Sequence, residues 1–356
     1  MNFKETLFFV AKCLTISKDE KNKVAIEKQL KNGKVDWDNV VKVSTSHYVF
    51  PALYLNLKKV NFLNYLPDDL VEYMKHITDL NRDRNEQIIA QAKDLNILLQ
   101  KNGIQPIFLK GASYLLENLY DDIAERMVGD IDFIVSKKEY KKTAEILHNY
   151  GYETVLKTKN HFPQFKHYPR ITKKGSIAAV EIHKELLVEK YSDEFNFELI
   201  NREVSSFQSI SILSTNHQLI LSIISKQIND NGISYKDISL KTAYDIFLLS
   251  KKANTYKAVE KEKFNKLFNP LNSYLAICNF VLNDDSITFK NDDFVTSYIS
   301  NYENSLNDSN SEKKFKQQKK INSLKTRIDV ILKAFTNKPH RKWLINRIIY
   351  GRVKKG

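Results

Sequence analysis

Apolar residues recur every three to four positions through the first hundred residues, and this spacing places them on one face of an α-helix. The earliest examples are Phe3, Leu7, Val10 and Leu14. A longer periodic run follows Pro67 and stops before Gly103, which are typical residues for a helix start and a helix end. We therefore predict an N-terminal helical region over residues 1–100.

The pattern changes to short β-rich runs after residue 100. Strands are predicted at residues 104–111, 129–135 and 152–157, with a hairpin over 161–186 that turns at "KKGS". A helix is expected between the second and third strands, with Ser136 as its N-cap and Gly151 as its stop. Residues 101–192 thus form a compact core that alternates strands and helices.

Helical spacing returns after about residue 193, and Ser239 is the expected N-cap of one clear helix, "LKTAYDIFLLSKKA". We predict a C-terminal helical region over 193–312 and a basic amphipathic tail over 313–356. The predicted fold class is α+β, with a small mixed-sheet core between two helical regions.

The charge of the chain is concentrated in that tail. The 356 residues have a formal net charge of +14, and residues 313–356 hold 15 Lys and Arg but one acidic residue, Asp329, so the rest of the chain is neutral. A basic amphipathic helix could bind anionic lipid or the backbone of a nucleic acid. The alternative, which we expect, is that Ile321–Phe335 packs on the body and leaves a frayed basic end.

The composition, with 42% hydrophobic residues, is that of a globular protein. The sequence argues against a disulfide-stabilised protein and against a membrane-spanning one. The two cysteines do not make a disulfide framework, so a reducing, cytoplasmic compartment is expected. No apolar run reaches the roughly 18 residues of a membrane span. Glu5 lies too close to a short N-terminal apolar block for a signal peptide, so we expect an amphipathic helix there.

Two aspartates stand two residues apart inside the apolar strand "GDIDFIV". Asp130 and Asp132 would project to one face with Cβ atoms roughly 7 Å apart, because side chains alternate along a strand. Two such close carboxylates repel each other unless a proton or a cation lies between them, and Mg²⁺ prefers oxygen ligands. The alternative is a strand end that opens into solvent.

A third carboxylate lies in the strand "AAVEIHKEL", where Glu181 and His183 share one face. If this strand neighbours the first, Asp130, Asp132 and Glu181 form a cluster able to hold divalent ions against a triphosphate. His183 could assist there, or could be a core histidine with a structural partner.

The segment "FLKGASYLL" joins a predicted strand to a helix start. Gly111 would permit close approach of a phosphate, and Lys110 or Ser113 would add a donor at the helix N-terminus. Taken alone, the segment is more typical of an ordinary strand-to-helix turn that requires glycine.

Together these segments resemble the bacterial uncharacterised nucleotidyltransferase family, within the superfamily that has the DNA polymerase β-type fold. The resemblance rests on "IFLKGASYLLENLY", "ERMVGDIDFIV", "LHNYGYE" and "VEIHKEL", supported by "NVVKVSTSHYVFPALYLNL" and "SLKTAYDIFLL". It covers about residues 30–250. One departure is that Lys-Gly-Ala-Ser replaces the usual Gly-Ser turn and lies farther from the first aspartate.

The resemblance implies an enzyme that transfers a nucleotidyl group from an NTP to a hydroxyl acceptor with Mg²⁺ or Mn²⁺. It implies that the metal ions are bound by Asp130, Asp132 and Glu181, and that phosphate is contacted by Lys110, Gly111, Ser113 and Arg126. Asp245 could reach the base or ribose, although a structural ion pair is its more ordinary role. The acceptor could be RNA, a protein, a sugar or a small metabolite.

Two other functions stay open at this point. A non-catalytic nucleotide-binding adaptor would keep the fold and use the basic tail to hold a nucleic acid or a membrane surface. A glycosyltransferase also uses Asp-x-Asp with a metal, but it requires a larger nucleotide-binding domain than the helical first hundred residues provide.

Overall fold

The computed structural model describes residues 1–155, 166–308 and 310–350 of the chain. The α-helices are α1 Phe3–Cys13, α2 Glu20–Lys31, α3 Trp37–Ser46, α4 Phe50–Lys59, α5 Asp68–Lys101, α6 Lys110–Leu116, α7 Tyr140–Asn149, α8 Phe197–Ile200, α9 Thr215–Ile224, α10 Gly232–Tyr235, α11 Leu240–Ser250, α12 Thr255–Lys261, α13 Phe268–Leu282, α14 Asp293–Asn307, α15 Ser311–Thr336 and α16 Lys338–Tyr350. The predicted helical region before residue 100 is confirmed, and α5 begins after Pro67 and ends before Gly103 as expected.

The strands are β1 Ile107–Leu109, β2 Asp130–Ile134, β3 Glu153–Thr154, β4 Ile171–Thr172, β5 Ala179–His183, β6 Val204–Phe207 and β7 Ile210–Leu213. They form one mixed sheet in the order β3-β4-β5-β2-β1-β7-β6. The central pair, β2 and β5, is parallel, and β1 runs antiparallel to β2 on its other side. The predicted α+β fold class is therefore confirmed, and the two candidate strands are neighbours.

The long helix α5 holds the ends of the two central strands through three buried amide side chains. Asn81 and Asn85 both donate to the carbonyl of Arg126, which lies in the segment that leads into β2. Gln91 exchanges two 3.0 Å hydrogen bonds with the backbone of Ala178, just before β5. Because buried amides need partners, these contacts fix where each strand begins.

Two strands lie outside the segment in which strands were predicted. The hairpin of β6 and β7 adds to the sheet beyond residue 192, and β7 pairs in parallel with β1. The expectation that residues after 193 are helical was wrong for residues 204–213. Each strand has four residues, which is too short for a clear alternating pattern.

The helix predicted after β2 begins later than its expected cap. Ser136 does not cap α7, because that helix starts at Tyr140 and Ser136 instead accepts a hydrogen bond from the amide of Glu139 in the preceding turn. The "KKGS" turn between β4 and β5 is confirmed, with Gly175 at φ +83°. The predicted strand residues 156–157 and the hairpin residues 161–165 lie outside the described residues.

The prediction that the apolar face of the C-terminal helix packs on the body was wrong. The apolar residues of α15 that were expected to be buried are at least 47% exposed, and the same holds for three isoleucines of α16. Among the described helices, none is long and apolar enough to cross a membrane. The two cysteines are free and buried, as expected of core residues.

Candidate functional site

The register of the two central strands places the predicted carboxylates together. Asp132 on β2 lies directly opposite Glu181 on β5, and Asp130 lies opposite Ala179 two pairs earlier. Side chains in register on parallel neighbours share a face, so the three carboxylates converge on one side of the sheet. The condition on which the sequence hypothesis depended, that the two strands be neighbours, is met.

Asp132 is buried and has two nitrogen partners. Lys110 Nζ lies 2.7 Å and His183 Nε2 2.8 Å from the same carboxylate oxygen. Burial alone would raise the pKa of Asp132, but these two partners lower it overall, so the carboxylate is ionised at neutral pH. Burial lowers the pKa of His183, which favours the neutral ring.

Asp130 and Glu181 share a different cation, Arg170. The Arg170 guanidinium lies 2.6 Å from Asp130 and 3.2 Å from Glu181. Burial raises the pKa of Asp130 despite this partner. Arg170 was not predicted; the hairpin register that pairs Ile171 with Val180 places it opposite Glu181.

A metal ion would fit one part of this cluster. Ligand atoms of Asp132, Glu181 and His183 all lie within 4.8 Å of one another, and no other such group occurs among the described residues. In addition, His183 Nδ1 is buried and has no hydrogen-bond partner in the described part of the chain. Two carboxylates and an imidazole suit a divalent ion such as Mn²⁺, as well as Mg²⁺ bound through the oxygens. Asp130 lies outside this group.

Two residues of the predicted phosphate loop, Gly111 and Ser113, are buried and used in local packing. The hydroxyl of Ser113 is buried and donates to the carbonyl of Lys110 within its own helix. Gly111 is also buried, and a Cβ there would lie 2.9 Å from a methyl group of Val128, so glycine is needed for packing. Lys110 has φ +51°, an unusual backbone conformation for a lysine, and its side chain points at Asp132.

Arg126 and Asp245 lie in the cavity wall but are paired with each other. Their side chains are both more than 90% buried and lie 2.9 Å apart, and Tyr120 donates a second hydrogen bond to Asp245. The Asp245 charge raises the pKa of Arg126 although burial opposes this. The structural ion pair weighed for Asp245 is thus present, and it neutralises the arginine expected to face the triphosphate.

Asp130 and Glu181 line a cavity of about 610 Å³, and so does Lys110, the partner of Asp132. Four cationic side chains in its wall come from outside the predicted site: Lys166, Arg170, Lys226 and Lys241. Burial lowers the pKa of Lys241 to about 8. Lys166, Lys226 and Lys241 were not predicted from the sequence, because they lie on segments far from the Asp-x-Asp strand and no local pattern marks them.

The fold and the site together define a class of protein. It is an α+β protein with three carboxylates on adjacent central strands, beside a cavity with cationic side chains in its wall. A family model described as "Uncharacterised nucleotidyltransferase" matches residues 33–282, and the chain belongs to this family. The resemblance stated from the sequence is thereby confirmed, and the family supports a role in nucleotidyl transfer. No curated protein and no solved structure matches the chain.

Proposed function

We propose that the chain transfers a nucleotidyl group from a nucleoside triphosphate to a hydroxyl acceptor and releases pyrophosphate. The observation that supports this most directly is the register of Asp132 against Glu181, which lines a cavity whose wall also carries several cationic side chains. Acidic ligands below and basic side chains around them match the two needs of the reaction, a divalent ion and a bound polyphosphate.

In the proposed reaction the acceptor oxygen attacks the α-phosphorus. The new oxygen–phosphorus bond forms as the bond from the α-phosphorus to the bridging oxygen of the β-phosphate breaks, so pyrophosphate leaves with that oxygen and its electron pair. The hydroxyl proton passes to a carboxylate at the site. Glu181 is suited to accept it, because its side chain is partly exposed to the cavity while Asp132 is enclosed by Lys110 and His183.

A divalent ion would be held by Asp132, Glu181 and His183 and would stabilise the charge that develops on the phosphate oxygens. The cationic side chains of the chain have a separate task, which is to bind and orient the phosphates. Lys241 comes from the helical side of the cavity and Arg170 from the sheet side, so a triphosphate between them would contact both. Lys226, also on the helical side, is paired with Asp237.

The test is incubation of the full chain with each α-labelled NTP, Mg²⁺ or Mn²⁺ and cell extract. We expect labelled acceptor, and we expect the label to fall about a thousandfold or more in the double variant Asp130→Asn, Asp132→Asn, because the loss of the Asp132 ligand together with the neighbouring Asp130 charge costs several kcal/mol of transition-state stabilisation. Asparagine keeps the shape of the side chains. The matched control is Asp68→Asn, Asp69→Asn, two exposed aspartates at the start of α5. Label that persists in the first variant would overturn the proposal.

A non-catalytic nucleotide-binding adaptor is the second candidate. It is favoured by the buried position of Ser113 and by the Arg126–Asp245 pair, which leave two expected phosphate contacts unavailable. Calorimetric binding of an NTP with Mg²⁺, together with no labelled acceptor under any condition, would support the adaptor.

A further inference from the structure

A row of large apolar side chains lies exposed along α15. Its members are Ile321, Leu324, Ile328, Ile331, Leu332 and Phe335, with exposed fractions from 47% to 74%. At about 100° per residue they fall within an arc of about 100° around the helix. Single exposed apolar residues are ordinary on a protein surface, but a continuous row marks a surface that binds something.

Basic side chains border this row on both edges. Lys320 and Arg327 lie along one edge of the arc and Lys325 along the other, and all three are exposed. The only acidic residue of the tail, Asp329, lies on the far side of Lys325 from the row. A helix with an apolar stripe between basic edges is the arrangement that lies flat on an anionic bilayer, since its lysines reach the headgroups while the stripe enters the acyl region.

The body of the protein contacts a different side of α15. Phe315 stacks near Tyr235 with ring centroids 4.9 Å apart, and Asn322 donates to Ser234. Farther along, Lys333 pairs with Glu189. These contacts lie roughly 130° around the helix from the centre of the apolar row. The row therefore faces away from the body, where a flat surface can approach it.

We propose that α15 docks the protein on a membrane surface rich in anionic lipid, with the apolar row inserted at the headgroup boundary. Charge decides against a second copy of the chain, because two tails of the same strongly positive charge would repel each other across the row. The aliphatic character of the row decides against nucleic acid, since bases stack on aromatic rings and Phe335 is its only aromatic member.

The test is co-sedimentation of the full chain with vesicles of phosphatidylcholine alone or with about 30% phosphatidylglycerol. We expect binding to the anionic vesicles only. The double variant Ile328→Glu, Leu332→Glu should bind at least about tenfold more weakly. The matched control is Leu80→Glu, Ile97→Glu, because both residues are comparably exposed on α5. Since all four side chains are exposed, the variants should keep the thermal unfolding midpoint of the wild type.

A second pair of variants tests the basic edge. Lys320→Gln with Arg327→Gln should weaken vesicle binding by about tenfold or more, because each cation near an anionic surface contributes on the order of 1 kcal/mol. The control is Lys28→Gln with Lys34→Gln, two exposed lysines of the body. Three results would overturn the proposal: equal binding to both vesicle types or to neither, binding that the Glu variants leave unchanged, or tight binding of single-stranded oligonucleotides that depends on the basic residues alone.

Discussion

The floor of the cavity and the helix α15 handle charge in opposite ways. Beside the cavity, Asp132 is buried with Lys110 as a close partner of opposite sign, and Arg126 is buried against Asp245. On α15 the cations are exposed, and so are the apolar residues between them. Because burying an unpaired charge is costly, the fold itself determines which partners the charged side chains at the cavity have. Solvent and external partners instead determine what the charged side chains of the tail interact with.

The largest stability effect is expected where a buried pair is broken. Asp245→Ala leaves the Arg126 guanidinium buried without its carboxylate, and we expect the free energy of unfolding to fall by about 3–5 kcal/mol. Urea unfolding followed by circular dichroism measures this. The comparison between the two regions would fail if the loss were below about 1 kcal/mol, the range of exposed pairs.

A smaller effect is expected from a buried acid at the edge of the same region. Burial raises the pKa of Glu125 to about 7, and Tyr244 donates a 2.5 Å hydrogen bond to it. Between its ordinary pKa and 7 the folded chain holds a proton that the unfolded chain releases, so stability falls as pH rises through this window. From pH 5 to pH 8 this cost should reach about 2–3 kcal/mol.

The measurement for Glu125 is a comparison of unfolding free energies with the Glu125→Gln variant across that pH range. Glutamine cannot ionise but can still accept the hydrogen bond from Tyr244, so its stability should decline less than that of the wild type. Parallel curves for the two proteins would show that Glu125 has an ordinary pKa.

The smallest effect is expected on the tail. Lys333 and Glu189 form an ion pair whose side chains are about half exposed, and a double-mutant cycle with alanine at both positions should give a coupling below about 0.5 kcal/mol. The same cycle at higher salt should bring the coupling toward zero. A coupling above 2 kcal/mol would mean that this end of α15 is held as firmly as the cavity floor.

The site was predictable where its chemistry shows in local spacing. Asp130 and Asp132 alternate with apolar residues, as do Glu181 and His183, and each pair does share one face of its strand. The phosphate loop stays a prediction, since glycine in "LKGAS" indicates a need for space, and a Cβ at Gly111 would meet Val128. Likewise, a serine such as Ser136 makes the same hydrogen bond in a turn as at a helix N-cap. Its position in the sequence therefore could not show which of the two it forms.

By itself the sequence determined the α+β class, the N-terminal helices, the two acidic strands and the segregation of charge into the last 44 residues, because each of these depends on periodicity or composition within a short window. Only the tertiary structure decided that β2 and β5 are neighbours in register, that Arg170 bridges two carboxylates, that Arg126 is neutralised by Asp245, and that the apolar row of α15 is left uncovered. These features join segments up to 119 residues apart, or depend on what the body leaves open. Such contacts are set by packing of the whole chain, which local spacing does not encode.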